Sequence, residues 1–328
     1  MLISRTPYRL SLYGGGLDYP EWFNTSKATI LCAGLDYYCY LTVRRLPPFF
    51  KHNYRAAYSK IETTEKLDDI KHPSVREVFK KYGMGKPLEI SHIGDLPAKS
   101  GIGSSSAFTV GLINSLTALN GEYLGRTALA EAAISIEQGE MGEKVGIQDQ
   151  CAAAFGGLVL VEADADGIKP RKFISRPEYT SYICNSLLMG FDGNERFSSH
   201  ASSKTTRRLT EKSSFEIMQE LSKINEAGIN SFGKEEDIEN HAKMTRLARD
   251  IKLELNGDSA NTQIMSLIEA TERAGSLCTR IMGAGGGGFF VCWAPEYRHD
   301  KIKGSVNIRN WVKVKFSRTG SQIIFSEL

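Results

Sequence analysis

The run LPAKSGIGSSSAFT, residues 96 to 109, ends where an apolar helical pattern begins at Phe108, Val110, Leu112, Ile113 and Leu116. A turn that feeds straight into a helix presents unpaired backbone N–H groups at the positive end of the helix dipole, which suits an anion. Gly101 and Gly103 let the backbone approach closely, and Ser104, Ser105 and Ser106 add hydroxyls that can bond phosphate oxygens or a hard cation such as Mg²⁺. The same residues also suit a plain helix N-cap, which needs only one serine. Two familiar phosphate loops fail here. The P-loop wants its lysine after the glycines, whereas Lys99 precedes them, and the dinucleotide fingerprint wants a third glycine where Ser106 stands.

Two further glycine-rich stretches flank this one in sequence. IMGAGGGGFF holds G-x-G-x-x-G at Gly283, Gly285 and Gly288, but the strand-like FFVCW follows where a dinucleotide site needs a helix. Its four consecutive glycines, which include Gly285 and Gly286, suggest a turn against which another backbone or a ligand packs very closely. Near the start, RTPYRLSLYGGGLDYPEW carries Arg9 on a predicted strand that runs into Gly14, Gly15 and Gly16 and then Asp18. Two acids complete the set: Glu137, on a helix predicted to start at an N-cap Thr127 and run to about Met141, and Asp149, in the first turn of a small-residue helix within VGIQDQCAAAF. Taken alone, Asp149 reads as a capping carboxylate before it reads as a site acid.

Bulk properties bound the possibilities. Two domains of roughly 150 residues are the default for 328 residues. The formal net charge of +3 leaves no basic footprint for nucleic acid, although a small anionic ligand fits. Six cysteines without a C-x-x-C pair predict reduced, buried thiols, and no window approaches a membrane span. A cytoplasmic protein with no membrane or nucleic-acid partner is the expectation. Strands and helices alternate to about residue 172, after which 205 to 255 is charged with the apolar periodicity of surface helices. The expected domains are therefore 1–172 and 173–328.

In order, RTPYRLSLYGGGLD, LPAKSGIGSSSAF and IMGAGGGGFF resemble the three motifs of the GHMP kinase superfamily over essentially the whole chain. GGGLDYPEW, YSKIETTEKLDDIKHPSVREVFKKYG and IEQGEMGEKVGIQDQCAAAFGG look like the D-glycero-D-manno-heptose 7-phosphate kinases within it. The resemblance implies an α+β, two-domain fold: an N-terminal domain like the second domain of ribosomal protein S5, a ferredoxin-like C-terminal domain, and a site between them. It further implies that Lys99, Gly101, Gly103, Ser104, Ser105 and Ser106 wrap the phosphates of ATP. Ser105 and Glu137 would hold Mg²⁺. Asp149 would face the acceptor hydroxyl with Arg9 beside it, and Gly15, Gly16, Asp18, Arg196, Gly285 and Gly286 would contact the substrate. The implied activity is ATP-dependent phosphorylation of the anomeric hydroxyl of the heptose 7-phosphate to the 1,7-bisphosphate, for nucleotide-activated heptose and bacterial glycans such as lipopolysaccharide. Arg196 belongs to NERFSSHASSKTTRR, 194 to 208, a polar run that suits a sugar phosphate but equally a solvated face. The alternatives are a kinase of another sugar, of fucose or galactose type, or a non-catalytic sensor of the same fold. Monomer and homodimer both remain open.

Overall fold

The computed structural model describes residues 1–193, 214–234, 237–256, 262–283 and 287–327. Its first sheet is built on β2 (Ala28–Arg45), long enough to hold two sets of neighbours. β1 (Leu2–Tyr13) runs antiparallel along one edge of β2, while the other edge pairs with β6 (Leu158–Asp164) over its first half and β5 (Leu88–Gly94) over its second. β3 (Tyr54–Ala57) lies parallel to β5 and carries β4 (Ile61–Thr64) at the margin, and β7 (Gly167–Lys172) extends from β6. The last strand, β12 (Gln322–Ser326), returns to pair with β1, so the end of the described chain lies in the first sheet.

After a short α1 (Pro20–Phe23), α3 (Ser104–Leu119) and α5 (Gln148–Phe155) pack on this sheet, with α2 (Pro73–Tyr82) against α3 and α4 (Arg126–Ile134) against both α3 and α5. α3 is buried from Ser106 through Ile113 without a break, so it is a core helix rather than an amphipathic one. Thr127 does not cap α4. Gly125 holds the N-cap position and no side chain closes the end; the helix then passes into a π-helical turn, Ser135–Glu140, which carries Glu137. Such turns widen a helix locally and re-aim its side chains.

The second sheet, in the order β11 (Asn310–Lys313), β8 (Leu187–Phe191), β10 (Phe289–Trp293), β9 (Cys278–Ile281), is antiparallel throughout. It is accompanied by α6 (Pro177–Asn185), α7 (Phe215–Ser231), α8 (Ile238–Asn256), α9 (Thr262–Ala274) and α10 (His299–Gly304). α8 packs on β9, β10 and α7, and α7 reaches across to β1 and β2. The junction has a polar strut: His241 lies between Tyr13 of β1 and Tyr179 of α6, 2.8 Å from each hydroxyl, with its ring stacked on Trp293. All six cysteines are free and buried. No described helix is long and apolar enough to cross a membrane.

Candidate active site

The two glycine-rich loops meet backbone to backbone. The Phe289 N–H donates to the Ser100 carbonyl at 2.9 Å, and the Arg9 N–H donates to the Ile102 carbonyl at 2.8 Å. Gly101, at φ +85°, leaves no room for a side chain: a Cβ there would lie 2.7 Å from the Met282 carbonyl oxygen. The close backbone approach predicted for the last glycine motif is therefore made by the 100–103 turn itself. Gly103, also left-handed at φ +69°, leads into the first turn of α3, whose amide groups have no capping side chain. Lys99 sits beside this turn with its backbone N–H on the Ser104 hydroxyl, 3.1 Å.

β1 supplies the wall of the site by simple alternation. Its inward residues Tyr8, Leu10 and Leu12 enter the core, while Arg9 turns to Asp149 and the Gly101 carbonyl, Ser11 to the glycine turn and Tyr13 to His241. Arg9 is buried and holds Asp149 with both arms, Nε to Oδ1 at 2.5 Å and Nη2 to Oδ2 at 2.7 Å; its Nη1 donates to the Gly101 carbonyl at 3.1 Å. Burial alone would lower the Arg9 pKa, but the Asp149 charge and hydrogen bonds hold it above its ordinary value. Asp149 is thus no helix cap. Its carboxylate retains some solvent access and lies against Gly103, where a Cβ would stand 3.1 Å from Oδ2.

Three consecutive residues at the start of α5 reach three different parts of the site, because each step along a helix turns the side chain by about 100°. Gln148 donates to Asp18 Oδ2 at 2.9 Å, Asp149 accepts from Arg9, and Gln150 donates to Glu137 Oε2 at 2.6 Å. Neither glutamine stands out in the sequence. Asp18 is buried, with Oδ1 on the Gly16 N–H at 2.8 Å; burial raises its pKa, and the Gly16 hydrogen bond offsets only part of that.

Glu137 is buried, and burial pushes its pKa up to about 7 against the lowering effect of its hydroxyl and amide partners. The hydroxyl that meets it is one residue beyond Ser105. Ser106 donates to Glu137 Oε2 at 2.9 Å, whereas Ser105, one residue earlier on the helix, is exposed. The other oxygen, Oε1, is buried without a partner among the described residues. A buried carboxylate with a vacant oxygen beside a hydroxyl is a hard-donor pair that fits Mg²⁺. Since no three His, Cys, Asp or Glu side chains cluster for a metal among the described residues, the remaining ligands would come from phosphate or water. Arg196, Gly285 and Gly286 lie outside the described residues.

Lys252, on α8, is a functional candidate that sequence reasoning missed. Its ammonium hangs over the glycine turn, 3.4 Å from where a Gly15 Cβ would be, and its stem packs against Gly16. Arg280, on β9, reaches the same wall and donates to the Ser11 carbonyl through Nη2. The only sequence signal for Lys252 was its place in a helix that looked like a solvated surface.

Comparison with known proteins agrees with this geometry. The model of the GHMP kinases N terminal domain matches residues 70–157 and that of the GHMP kinases C terminal matches 231–311, just over half of the 328 residues between them. A D-glycero-alpha-D-manno-heptose 7-phosphate kinase of Campylobacter jejuni is 32% identical over 170 residues, which is 48% of this chain and 50% of that one, so the match spans about half that relative's length. A mevalonate kinase of Thermococcus gammatolerans is 27% identical over 68% of this chain and 64% of its own. In fold, the chain superposes on a D-glycero-D-manno-heptose 1-phosphate kinase from Bacteroides thetaiotaomicron with a TM-score of 0.79, at 19% identity, covering 99% of this chain and 100% of the other. Two matched family models and a shared two-domain fold lead to one conclusion: this chain belongs to the GHMP kinases.

Proposed function

We propose that the protein transfers the γ-phosphoryl group of ATP to the anomeric hydroxyl of D-glycero-D-manno-heptose 7-phosphate, giving the 1,7-bisphosphate for nucleotide-activated heptose. The observation that carries the reading is the placing of Asp149. It is held bidentately by Arg9 and set directly against Gly103, so a hydroxyl resting on Asp149 would face whatever phosphate the 101–106 turn holds.

Phosphoryl transfer asks a protein mainly to align two oxygens and to offset charge on the migrating group. The free amides at the start of α3, with the Ser104 and Ser105 hydroxyls, would bind the nucleotide phosphates. Glu137 and Ser106 would hold Mg²⁺, which when bound neutralises charge on the β- and γ-phosphates. Asp149 would accept the proton of the attacking hydroxyl or fix its direction, and Arg9 holds that carboxylate in place with two hydrogen bonds. Asp18, with Gln148 and the Gly16 amide on its oxygens, would take a sugar hydroxyl. The heptose assignment draws on the likeness to the Campylobacter relative, 32% identical over 170 residues.

The test is ADP release by the purified protein with Mg·ATP and a panel of heptose 7-phosphate, free heptose, mannose, fucose, galactose and mevalonate. Turnover confined to the heptose phosphate and lost in Asp149→Asn is the expected outcome. Preference for fucose or galactose would replace the acceptor, and ATP binding without turnover on any member would turn the reading to a sensor.

A further inference from the structure

Two cations meet at the glycine turn 14–16 without the anion that two cations need. The Lys252 ammonium has no hydrogen-bond or ion-pair partner among the described residues, and Asp18 acts on it through space without a salt bridge. Arg280 spends one nitrogen on the Ser11 carbonyl, and its Nε is buried and unpaired among the described residues. The Arg9 charge nearby is already matched by Asp149. Around Lys252 stand further donors of the kind that serve an anion: the Ser11 hydroxyl borders the space above Gly15 with the ammonium, as does the Gln148 amide, one of whose two hydrogens is already on Asp18. Gly15 has no side chain to fill that space.

We infer that Lys252 and Arg280 form the subsite for a phosphate already carried by the acceptor, separate from the 101–106 turn that takes the nucleotide. This rests on the reading of the protein as a sugar phosphate kinase and moves the phosphate contact away from the 194–208 run. Both cations are held below their ordinary pKa, Lys252 at about 8 and Arg280 at about 10, with burial as the main cause; each lies near other positive charge, Lys252 near Arg280 and Arg9, Arg280 near Arg9. A dianion between them would reverse that penalty. A phosphate, with two charges and several acceptor oxygens, uses both cations and the neighbouring donors, whereas a neutral sugar leaves the cations as they are.

The first readout is the ratio of kcat/KM for heptose 7-phosphate to that for free heptose, in the wild type, Lys252→Met and Lys252→Arg. The ratio is expected to fall by at least about tenfold in Lys252→Met, the contribution of one charge-assisted hydrogen bond, and to be partly restored in Lys252→Arg. An unchanged ratio, or a wild type that prefers the carboxylate of mevalonate, overturns the subsite. The second readout needs no turnover. With the protein saturated with ADP, so that the donor loop is filled, inorganic phosphate should raise the melting temperature of the wild type and do so about tenfold less effectively in Lys252→Met. Equal responses overturn the inference even where the wild type phosphorylates no sugar, an outcome that by itself rejects the proposed activity and not the anion subsite.

Discussion

Arg9 grips Asp149 by two parallel hydrogen bonds of 2.5 and 2.7 Å while its third arm holds the Gly101 carbonyl, so one buried side chain ties the acid to the phosphate-type turn. Asp149→Asn keeps the shape but loses the charge and one acceptor. It should lower kcat by about 10²- to 10⁴-fold, the span of general acid–base catalysis, with little change in ATP affinity. Arg9→Lys keeps the charge but cannot make the bidentate contact. It should lower kcat as well, and an Arg9→Lys, Asp149→Asn double variant should lose far less than the product of the two single losses, because both act on one unit. Steady-state kinetics on the four proteins checks this.

Glu137 separates the two serines. Ser106 is buried on its carboxylate, whereas Ser105 is exposed and its backbone carbonyl accepts from the Thr109 hydroxyl. Ser106→Ala is therefore expected to raise the Mg²⁺ concentration for half-maximal activity by about tenfold or more, as loss of a metal ligand or its immediate support does. Ser105→Ala should leave that concentration nearly unchanged while weakening ATP binding modestly. Magnesium titrations of activity decide, and the reverse pattern would restore Ser105 to the metal.

The contact between the two glycine motifs leaves no slack. Gly101→Ala combines a disfavoured φ of +85° with a Cβ 2.7 Å from the Met282 carbonyl, and the opposing atoms are backbone that cannot swing aside. A loss of stability of about 2 kcal/mol or more is expected, together with weaker ATP binding as the turn is pushed out of place. Urea unfolding and nucleotide titration measure the two effects separately.

Acid should loosen the junction between the sheets. Burial lowers the His241 pKa from 6.5 to about 4, so the folded protein keeps it neutral between Tyr13 and Tyr179 while the unfolded chain takes up a proton below pH 6.5. The stability it contributes is present above pH 6.5 and lost as the pH falls towards 4, on the order of 3 kcal/mol at most. His72, stacked on Phe108 and lowered to about 4 in the same way, adds a loss of the same sign. His241→Gln should flatten the fall in melting temperature between pH 6.5 and 4, whatever its effect at pH 7.

Much of this was legible because local chemistry and tertiary role coincide. The strand Phe289–Trp293 was bounded by its glycines, the small residues of α5 announced a packed helix, and three motifs in order carried the fold. What sequence could not supply was rotation and distance. Whether Ser105 or Ser106 meets Glu137 depends on about 100° of helical turn and on the burial of α3 on all sides. Gln148 and Gln150 matter only because Asp18 and Glu137 come to flank α5. Lys252 sits in a charged, periodic helix and looked like solvated surface, until the packing of α8 against β9 turned it towards the glycine turn near the chain's start.

That placing of Lys252 has a cost to the protein without ligand. A lysine of ordinary pKa 10.5 held at about 8 is a cation kept where it is poorly solvated. The unfolded chain binds the proton below pH 10.5 and the folded one only below about 8, so stability falls as the pH drops through that interval and stays at the lower level at neutral pH. Lys252→Met removes this penalty and should raise stability at pH 7 by about 2 kcal/mol, with the gain shrinking as the pH rises from about 8 and gone above 10.5, where the wild-type amine is neutral in both states. Thermal unfolding of both proteins from pH 7 to 10.5 measures it. A variant that melts higher than the wild type yet responds less to phosphate would show that the fold tolerates an unfavourable charge at this position for the sake of the anion it receives.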